Sequence, residues 1–311
     1  MVLHKRIPKA TGKRCMESMG WLITVGDDEG EINLLHPFSG VQFELPHQNT
    51  TENYDNHATL HLMTFFQKAV LSGSPHTSDY ILMVIEGDID FLSFWRPGDL
   101  RWTRIEEQTP QSTIGDVVHF NGHFYAFDFF WPRDVDGPEP TKTHIVAQQP
   151  FGPRDPRDKL YILESLGSLF VVVRVGGRAR HVKDDYDRIP LTFIPVEGVV
   201  AELTYGTTDF QVFQVDLASG KVTRTKELGD RSFFFLGANA SISVQASQFP
   251  GIKPNHIYFT DDYWETYLHY EEGGGLDMGV FSLADGSIQP HYKGVSLSHF
   301  CPPIWVTPTL C

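Results

Sequence analysis

Cysteine is scarce in this sequence: the 311 residues include only Cys15, Cys301 and Cys311. None belongs to a C-x-x-C pair, and an odd count is unlike the disulfide frameworks of small secreted domains. The basic N-terminus lacks the apolar stretch of a secretory signal peptide. These absences favour a reducing intracellular compartment, the cytoplasm or the nucleus.

Long apolar runs are also missing. The stretch SLFVVVRVGG is interrupted by Arg174 after a few residues, well short of the ~18 residues that a membrane helix needs. The sequence therefore predicts no membrane partner.

Basic charge is in deficit, with 25 Lys and Arg against 39 Asp and Glu and a net charge of −14. Nucleic-acid binding needs a basic surface, so no nucleic-acid partner is expected. The exception is residues 1–14, which carry five basic side chains and no acid. A solvated linker and a nuclear-import patch both fit this stretch, and residues 1–20 are predicted to be a basic N-terminal linker.

The signatures of common catalytic sites are absent. The sequence has no G-x-S-x-G elbow, no phosphate-binding loop and no dinucleotide fingerprint. Its paired acids lack the D-x-[DN]-x-[DN]-G pattern of a calcium loop. The sequence therefore predicts no catalytic residue, no metal site, no cofactor and no enzymatic activity.

Two histidine pairs have the four-residue spacing of a helical metal site. His119 and His123 flank Asn121-Gly122, a strong two-residue hairpin signal. In such a hairpin His119 pairs with Phe124, and the two histidines point to opposite faces of the sheet. His57 and His61 lack the Glu of an H-E-x-x-H motif, so metal binding is not predicted for either pair.

Strand signals dominate the rest of the chain, and one hairpin pattern recurs. An apolar strand, a glycine turn and a more polar strand appear in FQVFQVDLASGKVTRTKELGD (210–230) and in three other places. Those three are 32–46, 89–106 and 279–292. Glycine suits these turns because it adopts positive φ without a steric clash. The best helical candidate, 59–71, also resembles a strand in its second half.

The recurrence predicts a β-propeller. The turns are spaced by about sixty residues, with one double interval, and further strands precede most of them. We expect an all-β propeller of four-stranded blades, with five blades and six as the alternative. The first unit has only Trp21–Val25 ahead of its hairpin, so the C-terminal strand 302–308 is predicted to join the N-terminal blade and close the ring. Residues 21–308 would form this single domain; two stacked β domains are the competing architecture.

The order of these segments resembles a known family. GKRCMESMGWLITV, INLLHPFSGVQFELP, FWRPGDLRWTRIE, DVVHFNGHFYAFD and LYILESLGSLFVVVR are similar to segments of the KIB-type β-propeller family of plants. The resemblance extends from about residue 13 over nearly the whole chain. It implies a plant propeller that recognises another protein, as the substrate receptors of SCF ubiquitin ligases do behind an F-box.

No F-box pattern precedes Trp21, so direct binding to the SCF adaptor is not expected of this chain. Alternatives in other classes are a propeller enzyme and a sugar-binding module, each acting on a small molecule in the central channel. A small-molecule site of that kind would place converging polar groups in a channel pocket.

Three long links between second and third strands, 129–143, 176–209 and 261–277, are expected on one face of the propeller as a binding surface. The third link contains aromatic and acidic side chains that resemble interface anchors within a polar rim. Packing against the propeller explains the same rings equally well, and both interpretations stay open. The candidate partner-binding residues are Asp261, Asp262, Tyr263, Trp264, Tyr267, Tyr270, Glu271 and Glu272.

Overall fold

The structure is a computed structural model of the chain. It describes residues 6–26, 30–52, 54, 65–87, 91–105, 114–128, 132–135, 143–145, 158–176, 206–235, 237, 239–263, 275, 277–290, 298, 301 and 303–307.

Within the described residues, twenty-one strands form five sheets. Sheet one contains β1 (Arg14–Ser18), β2 (Trp21–Val25), β3 (Ile32–Leu35) and β4 (Gln42–Leu45). Sheet two contains β5 (Phe66–Leu71), β6 (Leu82–Glu86), β7 (Phe91–Trp95) and β8 (Thr103–Arg104). Sheet three contains β9 (Ile114–Phe120), β10 (His123–Asp128), β11 (Pro132–Val135) and β12 (Thr143–Ile145). Sheet four contains β13 (Lys159–Ser165), β14 (Ser168–Gly176), β15 (Thr207–Asp216) and β16 (Lys221–Thr225). Sheet five contains β17 (Arg231–Phe235), β18 (Ile242–Gln245), β19 (His256–Phe259), β20 (Gly279–Ser282) and β21 (Ile288–Pro290).

Sheets one to four are antiparallel meanders of four strands, the blade type that the sequence predicts. In sheet one the first three strands are wholly buried, whereas β4 is partly exposed at the outer edge. Inner strands are buried on both faces because a neighbouring blade packs on each side. The all-β propeller class is therefore confirmed.

Sheet five departs from the four-stranded pattern. The hairpin partner β18 was not predicted, and it adds a fifth strand at the inner edge of the sheet. Strand β17 then pairs parallel with β19, whereas every other pairing in the five sheets is antiparallel. The structure thus shows four regular four-stranded blades, and the predicted total of five or six is not confirmed.

The four recurrent glycine hairpins are confirmed. Gly40, Gly98, Gly220 and Gly286 lie between the last two strands of sheets one, two, four and five, each with positive φ. The Asn121-Gly122 hairpin also has the predicted register, with His119 opposite Phe124 and Phe120 opposite His123. The helical candidate is instead strand β5 at its second half, and residues 55–64 lie outside the described residues.

A short motif recurs at the first turn of sheets one and four: Glu-Ser-Met-Gly at 17–20 and Glu-Ser-Leu-Gly at 164–167. Met19 and Leu166 have φ values of 52° and 53°, and the following glycines are also at positive φ. Such two-residue turns match the twist of a hairpin. In both copies Oε1 of the glutamate accepts a hydrogen bond of 2.7 Å from the glycine N–H.

The serine of each copy contacts the next sheet. Ser18 Oγ accepts a hydrogen bond of 3.0 Å from the N–H of Leu71 on β5. Ser165 Oγ lies 2.7 Å from Ser243 Oγ on β18. The motif therefore forms a turn and also joins the innermost strands of neighbouring sheets.

Hydrophobic clusters fill the space between successive sheets. The cluster between sheets one and two includes Trp21 and Phe66, and the cluster between sheets two and three includes Phe94 and Phe124. Two further clusters join sheet three to sheet four and sheet four to sheet five. Neighbouring sheets are thus packed against each other, as the blades of a propeller require.

Sheet one also contacts the polypeptide of sheet five. The N–H of Glu17 donates to Asn239 Oδ1 at 2.6 Å, and its carbonyl accepts from the Ala240 N–H at 2.8 Å. Glu17 Oε1 further accepts from the Thr307 N–H at 3.3 Å. These hydrogen bonds join β1 to the chain segments around residues 239 and 307.

Two predictions about the N-terminal blade need correction. Residues 14–18 of the predicted linker form β1, which pairs with β2 over all five residues. The first blade thus has four strands without help from the C-terminus. Residues 303–307 form no strand, so closure of the ring by a strand at 302–308 is not confirmed.

Within the described residues, no helix has the length and apolarity needed to cross a bilayer.

Candidate functional site

Arg174 is the most completely buried cation among the described residues. It lies on β14 between Val173 and Val175, and its side chain has no exposed area. Burying a charge is costly unless it is paired and hydrogen-bonded. The partners of its guanidinium therefore define what this part of the molecule does.

Two carboxylates neutralise the guanidinium. Arg174 Nη1 donates to Asp262 Oδ1 and Nη2 donates to Asp277 Oδ2, each at 2.7 Å. Both acid side chains are themselves largely buried, with exposed fractions of 11% and 8%. The pairs are charge-assisted hydrogen bonds shielded from water, which are among the strong ones in proteins.

The remaining donors of the guanidinium are also used. Arg174 Nε donates to Thr207 Oγ1 at 2.6 Å, and Nη1 donates to the Thr260 carbonyl at 2.8 Å. The guanidinium carbon lies 4.8 Å from the ring centre of Phe259 and 5.1 Å from that of Tyr263. These cation–π contacts add to the hydrogen bonds and fix the plane of the group.

The partners of Arg174 stand at the ends of two chain segments. Segment 177–206 leaves β14 and enters β15 at Thr207. Segment 264–274 is preceded by Thr260 and Asp262 and followed by Asp277. One buried side chain thus ties together the stems of both segments, and we call this set of contacts the Arg174 bracket.

Asp261 provides a second set of hydrogen bonds between the two ends of segment 264–274. Its Oδ2 accepts from the Gly275 N–H at 2.8 Å, and its Oδ1 accepts from the Tyr263 N–H at 3.2 Å. The Asp277 N–H lies 3.5 Å from the same Oδ2. The two ends of the segment are therefore held together independently of the arginine.

The stem of segment 177–206 is closed by a tight backbone approach. Gly176 has a φ of 146° and sits at a register shift between β14 and β15. A Cβ at this position would lie 2.4 Å from the Gly206 carbonyl oxygen. Only glycine fits here, so the two strands can meet where the segment begins.

Two tyrosines also belong to the buried network, and both hydroxyls stay protonated near neutral pH. Tyr161 donates its hydroxyl to Asp262 Oδ2 at 2.5 Å, and the Arg174 Nη1 lies 3.2 Å from the same hydroxyl. Burial and the negative charge of Asp262 raise the pKa of Tyr161 well above its usual value. Burial likewise raises the pKa of Tyr263. The arrangement is suited to holding a shape rather than to moving protons.

The structure divides the predicted site residues into two sets. Asp261 and Tyr263 are buried, with exposed fractions of 1% and 4%, and Asp262 is paired to Arg174. These three therefore support the interior of the site. The others lie outside the described residues, and their partner-binding role stays a prediction: Trp264, Tyr267, Tyr270, Glu271 and Glu272.

One of the three predicted long links is wrong. The range 129–143 contains strand β11 at Pro132–Val135, which pairs with β10 and β12. The link from β10 to β11 is therefore only 129–131. The sequence of this segment does not predict a strand, because it begins with proline and its four residues lack an alternating apolar pattern.

The role of Arg174 was not predicted from the sequence, in which the residue is only a break in an apolar run. The available signal was a charged residue within a strand of β-branched residues, because a charge buried at such a position needs a buried counter-charge. Its hydrogen-bond partners are 13 to 103 residues away in the sequence, so no local pattern identifies them.

Two cavities line the outer strands of sheet four. One of about 230 Å³ lies against the β20–β21 hairpin and is lined by Asp209, Arg224, Lys226 and Asp285 among others. The second, of about 460 Å³, lies beside the turn between β15 and β16. Across the part of the chain that the structure describes, no cluster of three or more His, Cys, Asp or Glu side chains is arranged to hold a metal ion.

Comparison with protein families decides the classification. The sequence profile named KIB1-4 beta-propeller matches residues 1–282. The chain belongs to the KIB1-4 beta-propeller family. The resemblance of its segments to this family, and the propeller that it implied, are thereby confirmed.

Related proteins of Arabidopsis thaliana carry F-box names. A putative F-box protein is 26% identical over 301 residues, covering 95% of this chain and 74% of that protein. A second putative F-box protein is 24% identical, covering 88% and 74% of the two chains. An F-box/kelch-repeat protein is 25% identical, covering 78% and 58%.

Among solved structures, a structural genomics protein of unknown function from Bacteroides thetaiotaomicron matches 81% of this chain and 65% of that chain. Its TM-score is 0.34 at 9% sequence identity, a likeness that carries no argument about function.

Proposed function

We propose that this KIB1-4 propeller is a non-enzymatic protein-recognition module, equivalent to the substrate-binding part of a plant F-box protein in an SCF ubiquitin ligase. The Arabidopsis relatives named as F-box and F-box/kelch-repeat proteins support this class. The observation that carries the proposal is the Arg174 bracket. A binding surface built from loops needs rigid stems, and the bracket fixes the stems of two long segments at one place.

The partner in this proposal is an intracellular protein with a basic surface. Segment 264–274 and its flanking residues contain six acids and no Lys or Arg, in DDYWETYLHYEEGGGLD. Charges of one sign accelerate association with a partner of the opposite sign, and the effect weakens with salt. Aromatic side chains among these acids would supply the binding energy, since hot spots are enriched in Trp and Tyr.

The test is a double substitution of the two candidate anchors, Trp264→Ala and Tyr267→Ala. Proteins captured from plant extract by the wild-type chain should be lost, and capture should fall with added salt. An aromatic hot spot contributes about 2 kcal/mol or more, so affinity for a captured and purified partner should fall at least about 30-fold. The matched control is Phe249→Ala, because Phe249 is an aromatic residue with 48% exposure outside segment 264–274.

Unchanged capture by the double variant would place the interface elsewhere, with segment 177–206 as the next candidate. A large fall in melting temperature would show that the two rings stabilise the fold. Two further measurements bear on the class of function. The purified 311-residue chain should form no saturable complex with the SCF adaptor, and strong thermal stabilisation by a metabolite or a sugar would favour a small-molecule function instead.

A further inference from the structure

Two cysteines far apart in the sequence meet beside the first blade. Cys15 lies on β1 and is buried, and Cys301 is partly exposed. Cys301 Sγ lies 4.0 Å from the carbonyl oxygen of Cys15, 286 positions away in the chain. Neither cysteine forms a disulfide, and each thiol lies close enough to shift the pKa of the other.

The contact lies where the C-terminal segment crosses β1. In addition to the cysteines, the described hydrogen bonds of this segment to the sheets are those of Trp305 and Thr307. The Trp305 carbonyl accepts from Asn239 Nδ2 at 3.4 Å, and the Thr307 N–H donates to Glu17 at 3.3 Å. A covalent link at Cys301 would fasten a segment that no strand pairing holds in residues 303–307.

The two thiols differ in reactivity because of their surroundings. The hydrogen bond from the Cys15 thiol, with help from the positive charge of Arg14, lowers the pKa of Cys301 to about 7. The same hydrogen bond and burial raise the pKa of Cys15. The thiolate is the nucleophile in cysteine chemistry. Cys301, partly exposed and next to a second thiol, has the features of a redox-sensitive cysteine with its resolving partner.

We propose that Cys15 and Cys301 are a site of reversible oxidation, at which hydrogen peroxide produces a disulfide that fastens the C-terminal segment to β1. The Cys301 thiolate attacks one peroxide oxygen, the S–O bond forms as the O–O bond breaks, and the released hydroxide takes up a proton to become water. Cys301 is then a sulfenic acid. Cys15, as its thiolate, attacks that sulfur and expels hydroxide, which leaves as a second water. In total the two thiols lose two electrons and two protons, and one peroxide becomes two waters.

The experiment uses the full chain with Cys311→Ser. This background is needed because no Lys or Arg separates Cys301 from Cys311, so a tryptic peptide would contain both. After treatment with one equivalent of hydrogen peroxide and alkylation of the remaining thiols, the digest should contain one peptide pair joined through Cys15 and Cys301. The intact mass should fall by two hydrogen atoms and should return to its starting value after treatment with dithiothreitol.

Two variants separate the proposal from unspecific oxidation. Cys15→Ser should stop at the sulfenic acid of Cys301, which dimedone traps, whereas the Cys311→Ser parent should give little dimedone adduct. Cys301→Ser, which retains Cys15 and Cys311, should form no disulfide under the same treatment. The oxidised parent should also melt at a higher temperature than its reduced form, because a disulfide restricts the unfolded chain.

Two results would overturn the proposal. One is a parent protein that accumulates Cys301 adducts without the joined peptide. The other is equal disulfide formation between Cys15 and Cys311 in the Cys301→Ser variant, which would show that the position of Cys301 beside Cys15 does not select the pair.

Discussion

Replacing Arg174 by methionine should destabilise the protein strongly, because the change removes one buried charge and leaves two others behind. Methionine has nearly the length of the arginine stem but cannot neutralise Asp262 or Asp277, whose side chains are 11% and 8% exposed. Removing one partner of a buried ion pair costs about 3–5 kcal/mol.

The lower end of that range is the better expectation, since both acids keep other donors. Asp262 keeps the Tyr161 hydroxyl, and Asp277 keeps the backbone N–H and the hydroxyl of Thr207. A loss of about 3 kcal/mol corresponds to a fall in melting temperature on the order of 5–10 °C for a domain of this size.

The measurement is urea unfolding of wild type and Arg174→Met, with Arg224→Met as the matched control. Arg224 is an exposed arginine on β16 of the same sheet, so its replacement should change stability by less than about 0.5 kcal/mol. Hydrogen exchange adds a local readout. The amide of Thr207, which donates to Asp277 Oδ1, should exchange faster in Arg174→Met and at the wild-type rate in Arg224→Met.

A double-mutant cycle tests whether the lost ion pair with Asp277 causes the destabilisation. The effects of Arg174→Met and Asp277→Asn should be non-additive by more than about 1 kcal/mol, because the two residues share one interaction. A stability loss under about 1 kcal/mol with unchanged exchange at Thr207 would refute the idea that the Arg174 bracket holds the two segments.

Three further changes have definite expectations. Burial raises the pKa of Glu17. Between the pKa values of the unfolded and folded states only the folded protein holds this proton, so stability falls as pH rises through that window. Glu17→Gln should flatten this slope in urea unfolding between about pH 4 and 8, and an unchanged slope contradicts the assignment. Leu166→Asn should raise the free energy of unfolding by about 0.5–1 kcal/mol, because Leu166 is held at a φ of 53° that asparagine tolerates better. The control Leu100→Asn, at an exposed site without positive φ, should change it by less than about 0.5 kcal/mol. Ser18→Ala should cost about 1 kcal/mol by removing the acceptor of the Leu71 N–H, and equal stability would show that the serine does not join the sheets.

The glycine hairpins were predictable because their signal is local. A residue such as Gly220 at positive φ between an apolar and a polar strand needs no knowledge of the rest of the chain. The propeller class followed from the regular recurrence of these turns. Strand β1 was missed for the opposite reason. Arg14 and Glu17 look like surface charges in the sequence, but both are buried by partners more than fifty residues away.

The partner-binding role of segment 264–274 stays a prediction, and the contacts that hold its two ends could not be predicted from the sequence. The aromatic and acidic residues of 261–277 gave no sign that Asp261 and Tyr263 are buried. That outcome depends on Arg174, which lies 88 positions before Asp262. Contacts between residues so far apart in the sequence produce no periodic pattern, because they depend on which strands become neighbours in the folded chain.

The hydrogen bonds of Glu17 have a consequence for a chain made from its N-terminus. The partners of its backbone at Asn239 and Ala240 are synthesised 222 residues or more after Glu17 itself, which takes about 10–45 s at ordinary rates of translation. During that time the inner face of β1 has no neighbour from sheet five, and the carboxylate of Glu17 stays hydrated. Sheet one can therefore reach its final buried state only late in synthesis. Until the later residues are made, the inner edge of the first blade is open to other proteins.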